Sequence, residues 1–287
     1  MVKMSVRYLL TIGLLAATSL AAPGKRQATT TTATNTNPST TIKATATAKN
    51  FGLNDAAKAA GKLFFGTAAD IPGTGEDTDQ YYLKEFNNKH DFGEATPANI
   101  MKFVYTEPEQ NVFNFTGGEY FLDLAEQSGK LVRCHNLIWS SQLPTWVTDP
   151  ASPWTNKTLS KVLRNHVNKV VSHFGDRCYS WDVVNEAFSD SPAGAYSSNV
   201  WYDTIGPEYV AMAFDEATKA VKKHGLKTKL YYNDYNIENP GAKATAAENL
   251  VKELKGRGIQ IDGVGLESHF IVGKLAFSPP YFLALHD

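Results

Sequence analysis

Trp181-Asp182-Val183-Val184-Asn185-Glu186 decides how this chain is read. Its valines and tryptophan favour an extended strand. Period-2 alternation then puts Asp182, Val184 and Glu186 on one face, with Glu186 at the strand's end. A carboxylate at such an end, sheltered by aromatic side chains, can have its pKa raised enough to donate a proton to a leaving oxygen. The competing reading makes Glu186 the cap of the following helix.

Outward from this strand, short apolar runs alternate with longer helical patterns, the signature of repeated βα units around a parallel sheet. The runs 63–68, 90–95, 131–137, 180–185, 229–233 and 262–267 read as strands, and 120–127, 159–174, 209–223 and 245–255 carry helical spacing. Polar residues unsuited to a core follow nearly every strand: Asn99 and Lys102, His135 and Trp139, Asn185 and Glu186, Asn233 and Asp234, Glu267 and His269. Chemistry spread over many strand ends predicts a TIM (β/α)8 barrel, whereas an open doubly wound sheet gathers it at one switch point. Gly73-Thr74-Gly75 lacks the rest of a dinucleotide fingerprint and reads as a loop.

Residues 1–22 carry Lys3 and Arg7, an apolar run and a small-residue end, the pattern of a secretory signal. The run is too short for a membrane span. Residues 23–48 form a Thr-rich linker, leaving 49–287 as the catalytic domain. Asn114-Phe115-Thr116 and Asn156-Lys157-Thr158 are glycosylation sequons that fit a secreted, extracellular chain. The 287 residues carry 28 Lys+Arg against 29 Asp+Glu, so no basic face for nucleic acid is expected. There is no His-Glu-x-x-His or Gly-x-Ser-x-Gly motif, and no metal or cofactor is expected. A monomer with no membrane partner is the matching expectation. Cys134 reads as lying near the C-terminal end of its strand and Cys178 at the N-terminal end of the next. That separation exceeds disulfide reach and predicts two free, buried thiols.

Five segments, 96–102, 133–144, 181–186, 231–238 and 261–269, resemble successive strand-end motifs of glycoside hydrolase family 10. The resemblance implies a fungal-type secreted endo-1,4-β-xylanase that cleaves internal bonds of xylan and xylo-oligosaccharides with retention of configuration. It implies Glu186 as general acid/base and Asn185 as partner of the substrate's 2-hydroxyl. Asn99, Lys102, His135 and Trp139 would bind the sugar on the nonreducing side, Tyr232 and Asn233 would face the leaving group, and His269 would orient the nucleophile. Two other readings keep the same cleft: a noncatalytic xylan-binding protein and a β-1,4-glucanase.

Several positions depart from the family pattern. Ala98 stands where a Glu is frequent, Ser140 replaces a frequent His, and Glu267 replaces a frequent Gln. A carboxylate at Glu267 near a second one raises the pKa of one of the pair. A retaining mechanism also needs a nucleophilic carboxylate about 5 Å from the first. The family supplies it on a seventh strand, in a Thr-Glu-Leu-Asp-like motif that does not occur here. The expectation is therefore a barrel with only its first six βα units, truncated after strand 6, with the nucleophile absent. Neither Glu267 nor Glu238 is expected to replace it, and Asp182 lies about 13 Å below Glu186 at ~3.3 Å per residue.

Overall fold

The computed structural model describes residues 51–270. The signal and linker assignments (1–22 and 23–48) and the closing stretch 274–287 lie outside these residues.

Six parallel strands form one sheet in chain order: β1 (Gly66–Ala69), β2 (Glu94–Pro97), β3 (Leu131–Ile138), β4 (Ser180–Asn185), β7 (Lys229–Asp234) and β8 (Gly263–Leu266). Sequential, parallel neighbours joined through helices are what successive βα units of a TIM barrel produce. Among the described residues, β1 and β8 each pair on one side only. Between β4 and β7 the chain adds an antiparallel hairpin, β5 (Phe188–Asp190) and β6 (Ala193–Tyr196). Nothing in the hydrophobic pattern announced it.

The helices are α1 (Leu53–Ala59), α2 (Gln80–Phe86), α3 (Phe103–Thr106), α4 (Thr116–Gln127), α5 (Thr145–Thr148), α6 (Asn156–Phe174), α7 (Val200–Ile205), α8 (Glu208–His224) and α9 (Ala242–Gly256). The four with readable 3.6-residue spacing, α4, α6, α8 and α9, cover the stretches expected to be helical. α6 starts at a capping box in which Thr155 and Thr158 exchange side chain to backbone bonds. Its buried face, Leu159, Leu163, Val167 and Val170, packs at the three- and four-residue spacing of one helical stripe. Every residue of β4 is buried, so this strand lies at the centre of the core. No helix among the described residues is long and apolar enough to cross a membrane, and no cluster of His, Cys, Asp and Glu there could hold a metal ion.

The cysteines correct the sequence expectation. Cys134 and Cys178 form a disulfide with a Cα separation of 5.6 Å. Cys134 is the fourth residue of the eight-residue β3, not its C-terminal end. Cys178 precedes β4 and follows the 3-10 turn Gly175–Arg177, so strand spacing does not fix its distance from Cys134. The strand assignment stands; the elimination drawn from it does not.

The bridge closes a loop between residues 44 apart, which restricts the unfolded chain. Peptide mapping without reduction is expected to recover the linked pair. Replacing both cysteines by serine should lower unfolding stability by about 2–4 kcal/mol in urea titrations. An unchanged midpoint would contradict the stabilising role.

Candidate active site

The parallel register brings the C-terminal ends of β3, β4, β7 and β8 side by side, with His135 opposite Asp182, Asn185 opposite Asn233 and Asp234 opposite Leu266. Above them opens a cleft of about 360 Å³, lined by Arg133, His135, Trp139, Asn185, Glu186, Asn233, Glu267 and His269 among others.

In the floor of the cleft lies Arg133, to which the sequence patterns gave no role. Arg133 Nε and Nη2 donate to the Asp182 carboxylate at 3.0 and 3.1 Å. His135 Nδ1 lies 2.8 Å from the same carboxylate. Burial alone would raise the Asp182 carboxyl, but the charges and hydrogen bonds of Arg133 and His135 outweigh it and hold the group below its ordinary value. The signal was available: an arginine two residues from His135 shares its strand face and must find a carboxylate there.

Arg133 also donates to Asn233 Oδ1 at 2.5 Å. That fixes the amide's orientation, because both Asn233 Nδ2 hydrogens then point to acceptors, Asn185 Oδ1 at 2.7 Å and Glu267 Oε1 at 2.8 Å. Asn185 lines the cleft with its oxygen occupied, which leaves its Nδ2 donors as the groups it can offer a hydroxyl. Gly265 leaves the necessary room, since a Cβ there would collide with the Asn233 amide and the Arg133 guanidinium.

Glu186 follows β4 directly in a left-handed conformation, φ 55°. Such a backbone costs a non-glycine residue roughly 1–2 kcal/mol and is commonly found at functional sites. It lets Asn185 and Glu186 both face the cleft, which strict alternation would forbid. Glu186 Oε2 accepts from Trp139 Nε1 at 2.8 Å. Trp139 is anchored in turn by Trp201 Nε1, which donates to its carbonyl at 2.8 Å.

Lys102 Nζ sits 4.8 Å from the Trp139 ring centroid and donates to Asn99 Oδ1 at 2.9 Å and to Gln142. Burial pulls its pKa down against the opposing charges of Asp70, Glu186 and Glu267. Asn99 donates onward to Asp70 at 2.9 Å. His135, Trp139, Asn185, Asn233, Glu267 and His269 thus line the cleft with Glu186, the last of them largely exposed with Nε2 3.1 Å from Glu267, while Lys102 adjoins them through the Trp139 ring and Asn99 through Lys102.

Tyr232 does not join them. It is fully buried and bonds Asp234 and the Ala187 amide, so it offers no surface to a ligand. Alternation along β7 turns Asn233 to the cleft and Tyr232 away from it. Glu238 is buried too and accepts from the Ser268 amide.

Glu267 carries the second carboxyl beside Glu186. Burial first, then the Glu186 charge, push it up to about 8. The two carboxyls therefore titrate as a pair, with the burial of Glu267 favouring retention of a proton between them. This meets the expectation that one carboxyl of such a pair would be raised.

The profile of glycosyl hydrolase family 10 matches residues 52–280. The chain belongs to this family. It is 49% identical over 222 residues to endo-1,4-β-xylanase D of Talaromyces funiculosus, covering 77% of this chain and 52% of that protein. Among solved structures it is similar to a family 10 xylanase from Bispora sp. MEY-1 crystallised with xylobiose, at 74% identity and TM-score 0.76, over 78% of this chain and 67% of that one. The Penicillium canescens endo-1,4-β-xylanase XylE aligns at 60% identity and TM-score 0.74, over 78% and 65%. The chain spans about half the length of the curated relatives it matches.

The raised Glu267 has a signed consequence for stability. Between its ordinary value of 4.5 and about 8, the unfolded state releases a proton that the folded state keeps, so this group's contribution falls as pH rises. Glu267→Gln removes that slope. Melting temperatures of variant and parent should diverge as pH climbs from 5 to 9, with the variant gaining on its parent; parallel curves would contradict the raised pKa.

Proposed function

We propose that this protein is a secreted endo-1,4-β-xylanase that hydrolyses internal bonds of xylan by a retaining mechanism, with Glu186 as general acid/base. The observation that carries this is the placement of Glu186 in the cleft, held by the Trp139 indole and flanked by the Asn185 donor. A protonated Glu186 gives its proton to the departing glycosidic oxygen and, as carboxylate, later takes one from water. The Asn185 amide bonds the 2-hydroxyl, an interaction that strengthens as the oxocarbenium-like transition state forms.

Trp139 offers a flat apolar face to a pyranose ring, and Lys102, Asn99 and His135 offer donors and acceptors to its hydroxyls. Similarity to xylanases, one of them crystallised with xylobiose, supports xylan as the polymer. Retention requires an ionised carboxylate about 5 Å from the acid/base. The group beside Glu186 is Glu267, whose carboxyl is pushed up by burial and by the Glu186 charge, which supports the reading that the nucleophile is not among the described residues. Secretion rests on the pattern of residues 1–22, and glycosylation on Asn114 and Asn156, both exposed.

Calorimetry of the 287-residue chain with xylotriose and cellotriose tests the reading. Xylotriose should bind more tightly, and Trp139→Ala should weaken it at least tenfold, about 1.4 kcal/mol. Preference for cellotriose would favour a β-1,4-glucanase, and no binding of either would remove the cleft's assignment. Turnover of xylan by this chain that vanishes in Glu186→Gln would show an ionised second carboxylate at work and overturn the assignment of Glu267.

A further inference from the structure

Tyr232 emerges from the structure with no contact to the cleft, yet its phenol touches the backbone that carries Glu186. The Ala187 N–H donates to Tyr232 Oη at 3.1 Å, and that oxygen donates its own proton to Asp234 Oδ2 at 2.5 Å. Asp234 is itself buried, with Lys243 Nζ 3.0 Å from its Oδ1 and the Tyr235 N–H donating to the same oxygen at 2.9 Å. Lys243 is 4% exposed; it lies 3.2 Å from Asp190 at the end of β5 and 3.5 Å from the Tyr235 ring centroid. On the other side of the acid/base residue, the Glu186 N–H donates to the Asn233 carbonyl at 2.9 Å.

We propose that Tyr232 is the positioning residue for Glu186: the two amides on either side of the Glu186 Cα are both tied to β7, one by the Asn233 carbonyl and the other by the Tyr232 phenol. The left-handed turn needs such ties, because the chain would otherwise relax to an ordinary backbone and swing the carboxyl off Trp139. A phenol suits the task because it accepts from the amide while giving its proton to Asp234, so both the amide and the phenol have a partner. Burial first, then the Asp234 charge, raise the phenol well above its ordinary value, so it stays the donor to Asp234. The Asp234–Lys243–Asp190 chain extends the anchor to α9 and the β5–β6 hairpin, giving that insertion a role in holding the acid/base residue.

The proposal rests on the reading of Glu186 as acid/base, but its test does not require turnover. The Trp139 indole N–H, bonded to Glu186, is a spectroscopic reporter of that carboxyl, assignable in a 15N spectrum by Trp139→Phe. The charged and titratable groups around Glu186 are Glu267 beyond β8, Lys102 before α3, His135 on β3 and Tyr235 beyond β7. Tyr232→Phe changes no charge among them, whereas Asp234→Asn also removes a charge that acts on Glu267 and Tyr235, so Tyr232→Phe is the primary test.

Tyr232→Phe should displace the Trp139 indole signal and move its pH midpoint by about half a unit, a threefold change in proton affinity. Leu254→Ala, a core truncation in α9, should lower stability without moving that signal. Asp234→Asn keeps the volume, weakens the phenol's acceptor, and should move the signal the same way by less; it serves also if Tyr232→Phe does not fold. A wild-type signal and midpoint in the folded Tyr232 or Asp234 variant overturns the proposal, as does an equal displacement in Leu254→Ala. If the signal moves as stated but xylotriose does not bind, the positioning role stands and the xylanase reading falls.

Discussion

The buried pair between Arg133 and Asp182 is the contact from which the rest of the site hangs. Asp182 has no exposed surface, and removing an ion from water costs several kcal/mol unless geometry and further hydrogen bonds offset it. Here the guanidinium grips the carboxylate through two nitrogens, and His135 adds a third contact. Once the guanidinium is held, its remaining donor orients Asn233, and Asn233 orients Asn185 and Glu267. The directions in which the cleft amides and acids point are therefore set by the Arg133 guanidinium in the cleft floor and the buried Asp182 that holds it.

The same interior shows how one side-chain type acquires opposite behaviours. Asp182, with a guanidinium and an imidazole against it, stays ionised despite complete burial. Glu267, buried beside another carboxylate, is driven to about 8. Glu94 on β2 is raised to about 7 by burial, which outweighs its bonds from Thr96 and the Arg133 amide. Gly66 on the neighbouring strand makes space for that carboxyl, since a Cβ there would strike it. What separates these acids is direct bonding by the Arg133 guanidinium, which among the three only Asp182 receives, and in a barrel interior register decides that.

Much of this could be read along the chain. β4 has the bounds its pattern suggested, and α4, α6, α8 and α9 follow their apolar stripes, because burial of one face leaves a periodic trace in sequence. The residues around Glu186 were legible because polar side chains at strand ends interrupt that trace. Arg133 was passed over because it lies within an apolar strand, where its partner is 49 positions away. Tyr232 was misplaced because an aromatic beside an asparagine looks like a sugar platform until strand alternation assigns its face. The disulfide was missed because an exit from a 3-10 turn obeys no strand spacing.

The sequence by itself determined the parallel βα architecture, the family and the strand end that carries Asn185 and Glu186, since each leaves a local signature of period, motif or residue type. Only the tertiary structure decided which acid keeps its proton, which way the amides point and what pins Glu186 in its left-handed turn. These depend on charges and donors brought together from strands far apart in the chain, and electrostatic energy follows distance in space and exclusion of water, neither of which a local pattern encodes.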